Sequence, residues 1–133
     1  MSSFDAPRVR PAPDTVTGSA LDGAPISRKL DGLTLIVAVK QSCDGCIDFI
    51  FSELNELSDV AVLILSATGD VNGEWSDSRQ QVIVAPQLLQ ELDIRWPPFY
   101  VLVNPEQRLV VTEGVVFAPA QVAKEIAPYL PSR

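Results

Sequence analysis

The sequence predicts an α/β domain in which a central mixed sheet is flanked by helices and preceded by a β-hairpin. Apolar, β-branched runs at Leu33–Val39 and Val60–Ser66 show no polar alternation, as expected of strands that are buried on both faces. Between them, apolar residues recur every three or four positions, which is typical of one helix face. These residues are Ile47, Ile50, Phe51, Leu54 and Leu57. The order strand, helix, strand predicts a parallel β-α-β unit with a right-handed crossover.

Length and composition indicate a single soluble domain. The 133 residues can bury a sizeable core, and the apolar fraction of 47% and the charged fraction of 20% are ordinary for soluble proteins. We expect the proline-rich residues 1–13 to form a flexible tail and residues 14–133 to form the domain. The net charge of −7, without long blocks of like charge, argues against nucleic acids and anionic membrane surfaces as partners.

The cysteine and histidine content restricts the possible chemistry. The chain has two cysteines and no histidine, which excludes imidazole general bases, Cys–His pairs and metal sites that need imidazole. Two cysteines cannot complete a structural zinc site within one chain. We therefore expect neither a metal nor a separate cofactor, and a redox-active disulfide would take the cofactor's place.

The sequence favours a cytoplasmic location. Residues 1–13 lack an apolar core of signal-peptide length, and the longest apolar run, Leu33–Val39, is far too short to cross a membrane. Cysteine pairs in the cytoplasm are more often reactive than structural. The alternative is an extracytoplasmic domain that has been separated from an upstream membrane anchor.

The residues before the β-α-β unit predict the hairpin. Asp14–Ile26 carries two short strands around Leu21-Asp22-Gly23, because Asp-Gly favours a tight hairpin turn. We predict a turn or a single helical turn at Ser27–Gly32. After the unit, Ala67–Arg79 is polar and contains glycine, which indicates an exposed loop.

The C-terminal half predicts two more helices and three more strands. Gln81–Ala85 is a short strand, and Pro86–Leu92 is a short helix with proline in a favoured first-turn position. Phe99–Asn104 and Arg108–Thr112 form an antiparallel hairpin, followed by Gly114 as a bulge or a point of close approach. The last helix spans Ala118–Leu130. Its apolar face carries Val122, Ile126 and Leu130, and Pro128 frays its end.

The two cysteines lie where the buried strand meets the amphipathic helix. Backbone N–H groups and the helix dipole at a first turn stabilise an anion, so a thiolate placed there is more reactive than a free cysteine. We predict that Cys43 is the nucleophile and that Cys46, one turn deeper, resolves the mixed disulfide. The alternative reading, a pair of incidental core thiols, fits a C-x-x-C at a strand–helix junction less well.

The neighbours of the cysteines tune this chemistry. The Asp44 carboxylate suits a helix N-terminus, but its negative charge disfavours a thiolate on Cys43. We therefore predict a mild fall of the Cys43 pKa and a fairly reducing couple. Lys40, as a solvated charge at the end of the strand, is a further candidate for tuning.

Several segments resemble the thioredoxin superfamily, and in particular its redoxin branch, which includes TlpA-like thiol–disulfide oxidoreductases and the peroxiredoxins. The resemblance covers about Ala12 to Leu130. The matching segments are Pro11-Ala12-Pro13-Asp14, Leu21-Asp22-Gly23, Ser42-Cys43-Asp44-Gly45-Cys46, Asp93 to Val103, Asn104-Pro105-Glu106 and Gly114. The resemblance implies a thioredoxin-like fold with an N-terminal β-hairpin extension.

The same resemblance implies roles for individual residues. Pro98 would be the cis-proline that packs against the active-site disulfide, and Trp96 would lie at the rim that receives a partner. Pro97 departs from the pattern, because proline has no N–H with which to pair a docked substrate strand.

The redox motif departs from the family as well. Ser42 replaces the usual tryptophan, Asp44-Gly45 replaces Gly-Pro, and Val37 replaces the buried carboxylate that assists the resolving cysteine. Lys40, Ser42, Asp44 or water would have to take over that proton transfer. These changes suggest a specialised partner.

Two classes of function are compatible with these residues. The first is a thiol–disulfide oxidoreductase that acts on a specialised protein or small disulfide partner. A peroxiredoxin-type peroxidase is disfavoured, because its motif needs Thr or Ser where this chain has Lys40. The second class is a non-enzymatic module, such as a redox sensor, an adaptor or a metallochaperone-like protein that binds through Trp96. The electron donor, the client, the direction of electron flow and the oligomeric state stay open.

Overall fold

The computed structural model describes residues 9–40, 46, 49, 57, 59–69, 81–94 and 97–130, whose strands form one mixed sheet. Within these residues the sheet has eight strands in the order β1-β8-β7-β4-β5-β6-β2-β3. The strands are β1 (Arg10–Pro11), β2 (Thr15–Ser19), β3 (Pro25–Lys29), β4 (Thr34–Val39), β5 (Ala61–Ser66), β6 (Val82–Val84), β7 (Phe99–Asn104) and β8 (Leu109–Val115). The helices are α1 (Pro86–Glu91) and α2 (Pro119–Ile126), the second followed by a 3₁₀ turn at Ala127–Tyr129.

The centre of the sheet confirms the burial predicted for β4 and for the end of β5. All six residues of β4 are buried, and β5 is buried from Leu63 to Ser66, whereas Ala61 is exposed and Val62 is half-buried. β4 pairs in parallel with β5, as predicted for a β-α-β unit, and β5 pairs in parallel with β6. On its other side β4 pairs antiparallel with β7, so both of its edges are hydrogen-bonded. Cys46 and Phe49 are helical and buried, whereas Ile47, Ile50, Phe51 and Leu54 of the predicted helix face lie outside the described residues.

Two apolar cores cover the two faces of the sheet, because side chains alternate along each central strand. The first core includes Ile36, Ala38, Val101 and Val103 from the strands and Leu88, Leu89 and Leu92 from α1 and its end. The second includes Leu35, Val37, Val39, Tyr100 and Leu102 from the strands, Val122 and Ile126 from α2, and Cys46, Phe49 and Leu57. The cysteine therefore belongs to the face that α2 also covers.

The predicted hairpin is present, but its second strand is longer than expected. β2 and β3 pair antiparallel as far as Thr15 and Lys29, so the predicted turn at Ser27–Gly32 is wrong for Ser27 to Lys29. The residues of β3 are mostly exposed and polar because this strand is the edge of the sheet. Their extended state comes from pairing with β2, and local apolar alternation does not signal it.

The expected flexible tail ends earlier than Pro13. Arg10 and Pro11 pair with Val110 and Leu109 of β8, and the Ala12 N–H donates to the Arg108 carbonyl at 2.9 Å. Residues 10–13 are therefore part of the domain, and residues 1–8 lie outside the described residues.

The C-terminal elements differ from prediction at their ends. β8 continues through Gly114 to Val115, and its bulge lies near Val111, where the register shifts, while Gly114 is a point of close approach. α2 ends at Ile126 and tightens into the 3₁₀ turn that contains Pro128, whose ring nitrogen cannot donate a helical hydrogen bond. Val122 and Ile126 are buried as predicted, and Leu130 packs against the same core.

A buried ion pair connects the N-terminal segment to both the sheet and α1. An Arg10 Nη1–Glu113 Oε1 contact of 2.8 Å joins β1 to β8, with the two side chains only 15% and 6% exposed. The Arg10 Nε also donates to the Leu92 carbonyl at 3.0 Å. That carbonyl lies at the C-terminal end of α1, where helix carbonyls lack intrahelical partners and favour a cation.

No helix within the described ranges has both the length and the apolar character needed to cross a membrane.

Replacing Arg10 with methionine tests the ion pair. The Arg10→Met variant leaves the Glu113 carboxylate buried without its cation, and we expect a loss of about 2–4 kcal/mol in the free energy of unfolding. Urea denaturation measures this loss. Arg28→Met is the matched control, because Arg28 is exposed and bonds Gln81 at the surface, and it should change stability by less than about 0.5 kcal/mol. Equal losses in the two variants would contradict the role of Arg10.

Gly114 allows the Tyr100 ring and the Glu125 side chain of α2 to lie close to the backbone of β8. A Cβ at this position would lie 2.9 Å from Tyr100 Cε2 and 3.1 Å from Glu125 Oε1. We expect Gly114→Ala to cost about 1–3 kcal/mol in the free energy of unfolding, because these side chains must move. Gly32→Ala is the control, since a Cβ there meets nothing within 4 Å. A neutral effect at both positions in urea denaturation would show that the packing around Gly114 is loose.

Candidate functional site

Cys46 lies at the end of the central strand, inside the core. Its side chain is fully buried, and its Sγ accepts a hydrogen bond from the Lys40 backbone N–H at 3.4 Å. The Lys40 side chain itself is exposed. No described cysteine carries a free thiol. The Cys46 sulfur is therefore hydrogen-bonded to the backbone of the residue that directly follows β4.

Several predicted site residues lie outside the described part of the chain. They are Ser42, Cys43, Asp44, Gly45 and Trp96. Their assignment as nucleophile, tuning residues and partner-binding rim stays a prediction. The described residues of the site are Lys40, Cys46, Pro97 and Pro98.

The proline segment lies beside the end of β4. The peptide bond between Pro97 and Pro98 is cis, the isomer that the resemblance implies for Pro98. Phe99 pairs with Ala38 in the register of β4 and β7. Continuing that antiparallel register by one residue places Pro98 across from Val39, just before Lys40. The strand pairing therefore brings the proline turn to the end of the sheet where the Lys40 N–H contacts the Cys46 sulfur.

The end of α1 directs the chain toward this turn. The Asp93 N–H donates to the Gln90 carbonyl at 3.0 Å and the Ile94 N–H donates to the Leu89 carbonyl at 3.2 Å. Asp93 has a φ of 53°, in the left-handed region. These features form a Schellman motif, which ends the helix.

The loop after β8 supports the proline turn from the other side. The Val116 N–H donates to the Pro98 carbonyl at 3.0 Å. The next residue, Phe117, is 83% exposed, although large apolar side chains are usually at least partly covered. The sequence analysis missed Phe117. An aromatic residue two positions before a proline that starts a helix, outside every predicted apolar face, is the signal that could have identified it.

Val37 places an apolar side chain where thioredoxins carry a buried carboxylate. It is fully buried in the same core as Cys46 and pairs across the strands with Tyr100. A valine cannot accept or donate a proton. Val37 therefore supplies no proton donor or acceptor to the core that contains Cys46.

Tyr100 is buried on the same face of the sheet as Cys46, and its hydroxyl is hydrogen-bonded. The hydroxyl donates to Glu125 Oε1 at 2.7 Å. Burial, and then the hydrogen bond and negative charge of Glu125, raise the pKa of Tyr100 well above its ordinary value of 10. Tyr100 therefore stays protonated and acts as a hydrogen-bond donor that joins β7 to α2.

The described residues contain no group of three or more Cys, Asp or Glu side chains that could hold a metal ion.

The raised pKa of Tyr100 makes stability depend on pH in alkaline solution. Above pH about 10 the unfolded chain loses the phenol proton while the folded chain keeps it, so stability falls by up to about 1.4 kcal/mol per pH unit. We expect Tyr100→Phe to show a shallower fall between pH 9 and 11 in urea denaturation. Identical slopes for the wild type and Tyr100→Phe would contradict the burial of a protonated phenol.

Comparisons with known proteins identify the fold. No protein-family profile matches the chain, and no curated protein sequence matches it. Solved structures do match. The reduced N-terminal domain of PilB from N. meningitidis has a TM-score of 0.60 at 14% identity, over 86% of this chain and 94% of that domain.

Two further structures extend the match. The thioredoxin domain of a thiol–disulfide oxidoreductase from Bacteroides vulgatus has a TM-score of 0.57 at 18% identity, over 92% of this chain and 96% of that one. A secreted Mycobacterium tuberculosis disulfide oxidoreductase, homologous to E. coli DsbE, has a TM-score of 0.57 at 15% identity, over 85% and 95% of the two chains. The chain therefore has the thioredoxin-like fold that its sequence predicts.

Proposed function

We propose that this protein is a thiol–disulfide oxidoreductase that uses Cys43 and Cys46. One observation carries the proposal. Cys46 is buried in a helical segment beside the end of β4, and the register of β4 and β7 brings the cis Pro97–Pro98 turn to the same end. The fold adds support, because the similar structures include proteins named as thiol–disulfide or disulfide oxidoreductases.

The reaction follows from the positions of the two sulfurs in the sequence. The Cys43 thiolate attacks one sulfur of a partner disulfide, which forms a mixed disulfide and releases the other partner sulfur as a thiolate. The Cys46 thiolate then attacks the Cys43 sulfur, forms the Cys43–Cys46 disulfide and releases the second partner sulfur. Two electrons pass to the partner, whose thiolates take up two protons. A dithiol donor restores the reduced pair, and no other cofactor is required.

The burial of Cys46 fits the resolving role. A sulfur without solvent exposure is protected from partner disulfides. We therefore assign the attack on the partner disulfide to Cys43. The Lys40 N–H points at the Cys46 sulfur and stabilises negative charge on it during the second step. In this proposal Lys40 contributes its backbone, and its exposed side chain adds a positive charge near the site.

The partner is a protein or small-molecule disulfide of a specialised kind. Pro97 cannot donate a backbone hydrogen bond to a docked strand. Contacts with side chains therefore have to supply more of the binding, and Trp96, Pro98 and Phe117 are the candidates. We propose that the protein works in the cytoplasm as a reductant.

A non-enzymatic module is the second candidate. Val37 removes the usual proton acceptor from beneath the resolving cysteine, and Pro97 removes a docking hydrogen bond. Both changes would be harmless in a protein that binds a partner without turnover. In that case two cysteine pairs of a dimer could hold a thiophilic metal.

Insulin reduction with a dithiol donor separates the two candidates. We expect turnover by the wild type and loss of turnover, by at least about a hundredfold, in Cys43→Ser, because the attacking thiolate is gone. Cys46→Ser should instead accumulate a mixed disulfide with insulin that mass spectrometry detects. A wild type that lacks turnover but purifies with bound metal would support the binding module.

The midpoint potential gives the direction of electron flow. Thiol alkylation and mass spectrometry across a dithiol redox series should show a two-electron transition near the thioredoxin value of about −270 mV. A midpoint potential of about −120 mV would indicate an oxidant. If no intramolecular disulfide forms at any poise, the oxidoreductase proposal is wrong.

A further inference from the structure

Gln121 binds the loop next to the proline turn with every polar atom of its side chain. Its Oε1 accepts from the Phe117 N–H at 2.8 Å and from the Ala118 N–H at 3.1 Å. Its Nε2 donates to the Val115 carbonyl at 2.9 Å and to Glu125 Oε2 at 2.8 Å. A single amide therefore holds both ends of the loop.

Helix capping alone does not account for this arrangement. A glutamine at the third helical position commonly accepts from the N–H that precedes the helix, which here is that of Ala118. The contacts with Phe117 and Val115 reach further back, into the loop and the end of β8. They fix the backbone on both sides of Val116.

Val116 transmits this constraint to the redox site. Its N–H donates to the Pro98 carbonyl at 3.0 Å, and its side chain is buried in the core that contains Cys46. Glu125, the fourth partner of Gln121, accepts from the buried Tyr100 hydroxyl, and Tyr100 lies two residues after Pro98. Gln121 is thus connected to the proline turn by two routes.

We propose that Gln121 is a positioning residue that holds the loop beside the Pro98 turn and presents Phe117 from a fixed backbone to a polypeptide partner. The proposal rests on the proposed function and deepens it by naming the substrate class. The partner is a polypeptide disulfide with an apolar side chain near its reactive cysteine. An aromatic side chain on a fixed backbone loses less conformational entropy on binding than one on a loose loop, so its contact can replace the backbone hydrogen bond that Pro97 cannot make.

The test compares a polypeptide disulfide with a small one. The Gln121→Met variant keeps the length and volume of the side chain but loses all four hydrogen bonds. We expect its KM for insulin to rise about fivefold to tenfold with kcat within about twofold of the wild type. The rate with a small aliphatic disulfide and the midpoint potential of the cysteine pair should not change. The variant keeps the hydrogen bond from the Val116 N–H to the Pro98 carbonyl, and a small aliphatic disulfide has no side chain for Phe117 to contact.

Phe117→Ala tests the same idea without disturbing the fold, because this side chain is exposed. We expect a similar rise in the KM for insulin. The KM of the double variant should not exceed that of the single variant with the larger KM, since both changes remove the same contact. Gln90→Met is the control for exchanging glutamine and methionine. Gln90 is exposed on α1, which covers the opposite face of the sheet.

The outcomes separate this proposal from the proposed function. If the wild type reduces insulin through Cys43 but both variants keep its KM, the positioning proposal is wrong and the oxidoreductase stands. Equal losses with insulin and with the small disulfide would also overturn it, because they indicate general damage. If the wild type shows no turnover that depends on Cys43, both proposals fail together.

Discussion

The register between β4 and β7 is the constraint on which the candidate site depends. β4 ends just before Lys40, whose N–H contacts the Cys46 sulfur, and β7 begins directly after the proline turn. Because the two strands run antiparallel, the end of one lies beside the start of the other. A slip by one residue would move every side chain of β7 to the opposite face and separate Tyr100 from Val37. The burial of all six residues of β4 makes such a slip costly.

Two supports keep the proline turn at that end of the sheet. On one side, the Schellman motif ends α1, and Arg10 binds the Leu92 carbonyl at the end of the same helix. On the other side, Val116 binds the Pro98 carbonyl. Both supports depend on β8, since Glu113 holds Arg10 and Val115 leads into the loop. The strand farthest from the cysteine segment in sequence therefore contributes to the geometry around it.

The sequence predicts what short-range physics determines. The uniform apolar runs of β4 and β5, the Asp-Gly turn and the apolar face of α2 were readable, because burial and turn conformation impose local patterns. Ser27–Lys29 of β3 and Arg10–Pro11 were not predicted as strands. Their polar residues become extended only through pairing with β2 and β8, and the partner of Arg10 lies about a hundred residues away.

The candidate site was predicted less completely than the fold. No local sequence pattern predicts a cis peptide bond, so Pro98 could be identified only through the resemblance to thioredoxins. It could not identify Gln121 or Phe117, since a glutamine in the first turn of a helix and a single phenylalanine are common features of surfaces. Their significance appears only when the hydrogen bonds of Gln121 are seen to converge on the loop that holds Pro98.

The two prolines and the exposed phenylalanine together indicate how recognition would differ from that of a general thioredoxin. A partner strand that pairs with backbone groups gains affinity without regard to its side chains, which permits many clients. Pro97 removes one such group, so affinity must come from contacts that depend on the partner's sequence. Phe117 offers such a contact, and the hydrogen bonds of Gln121 hold the backbone from which its side chain projects. A rigid side-chain contact in place of a backbone contact narrows the range of partners, which is the property expected of an oxidoreductase with a specialised client.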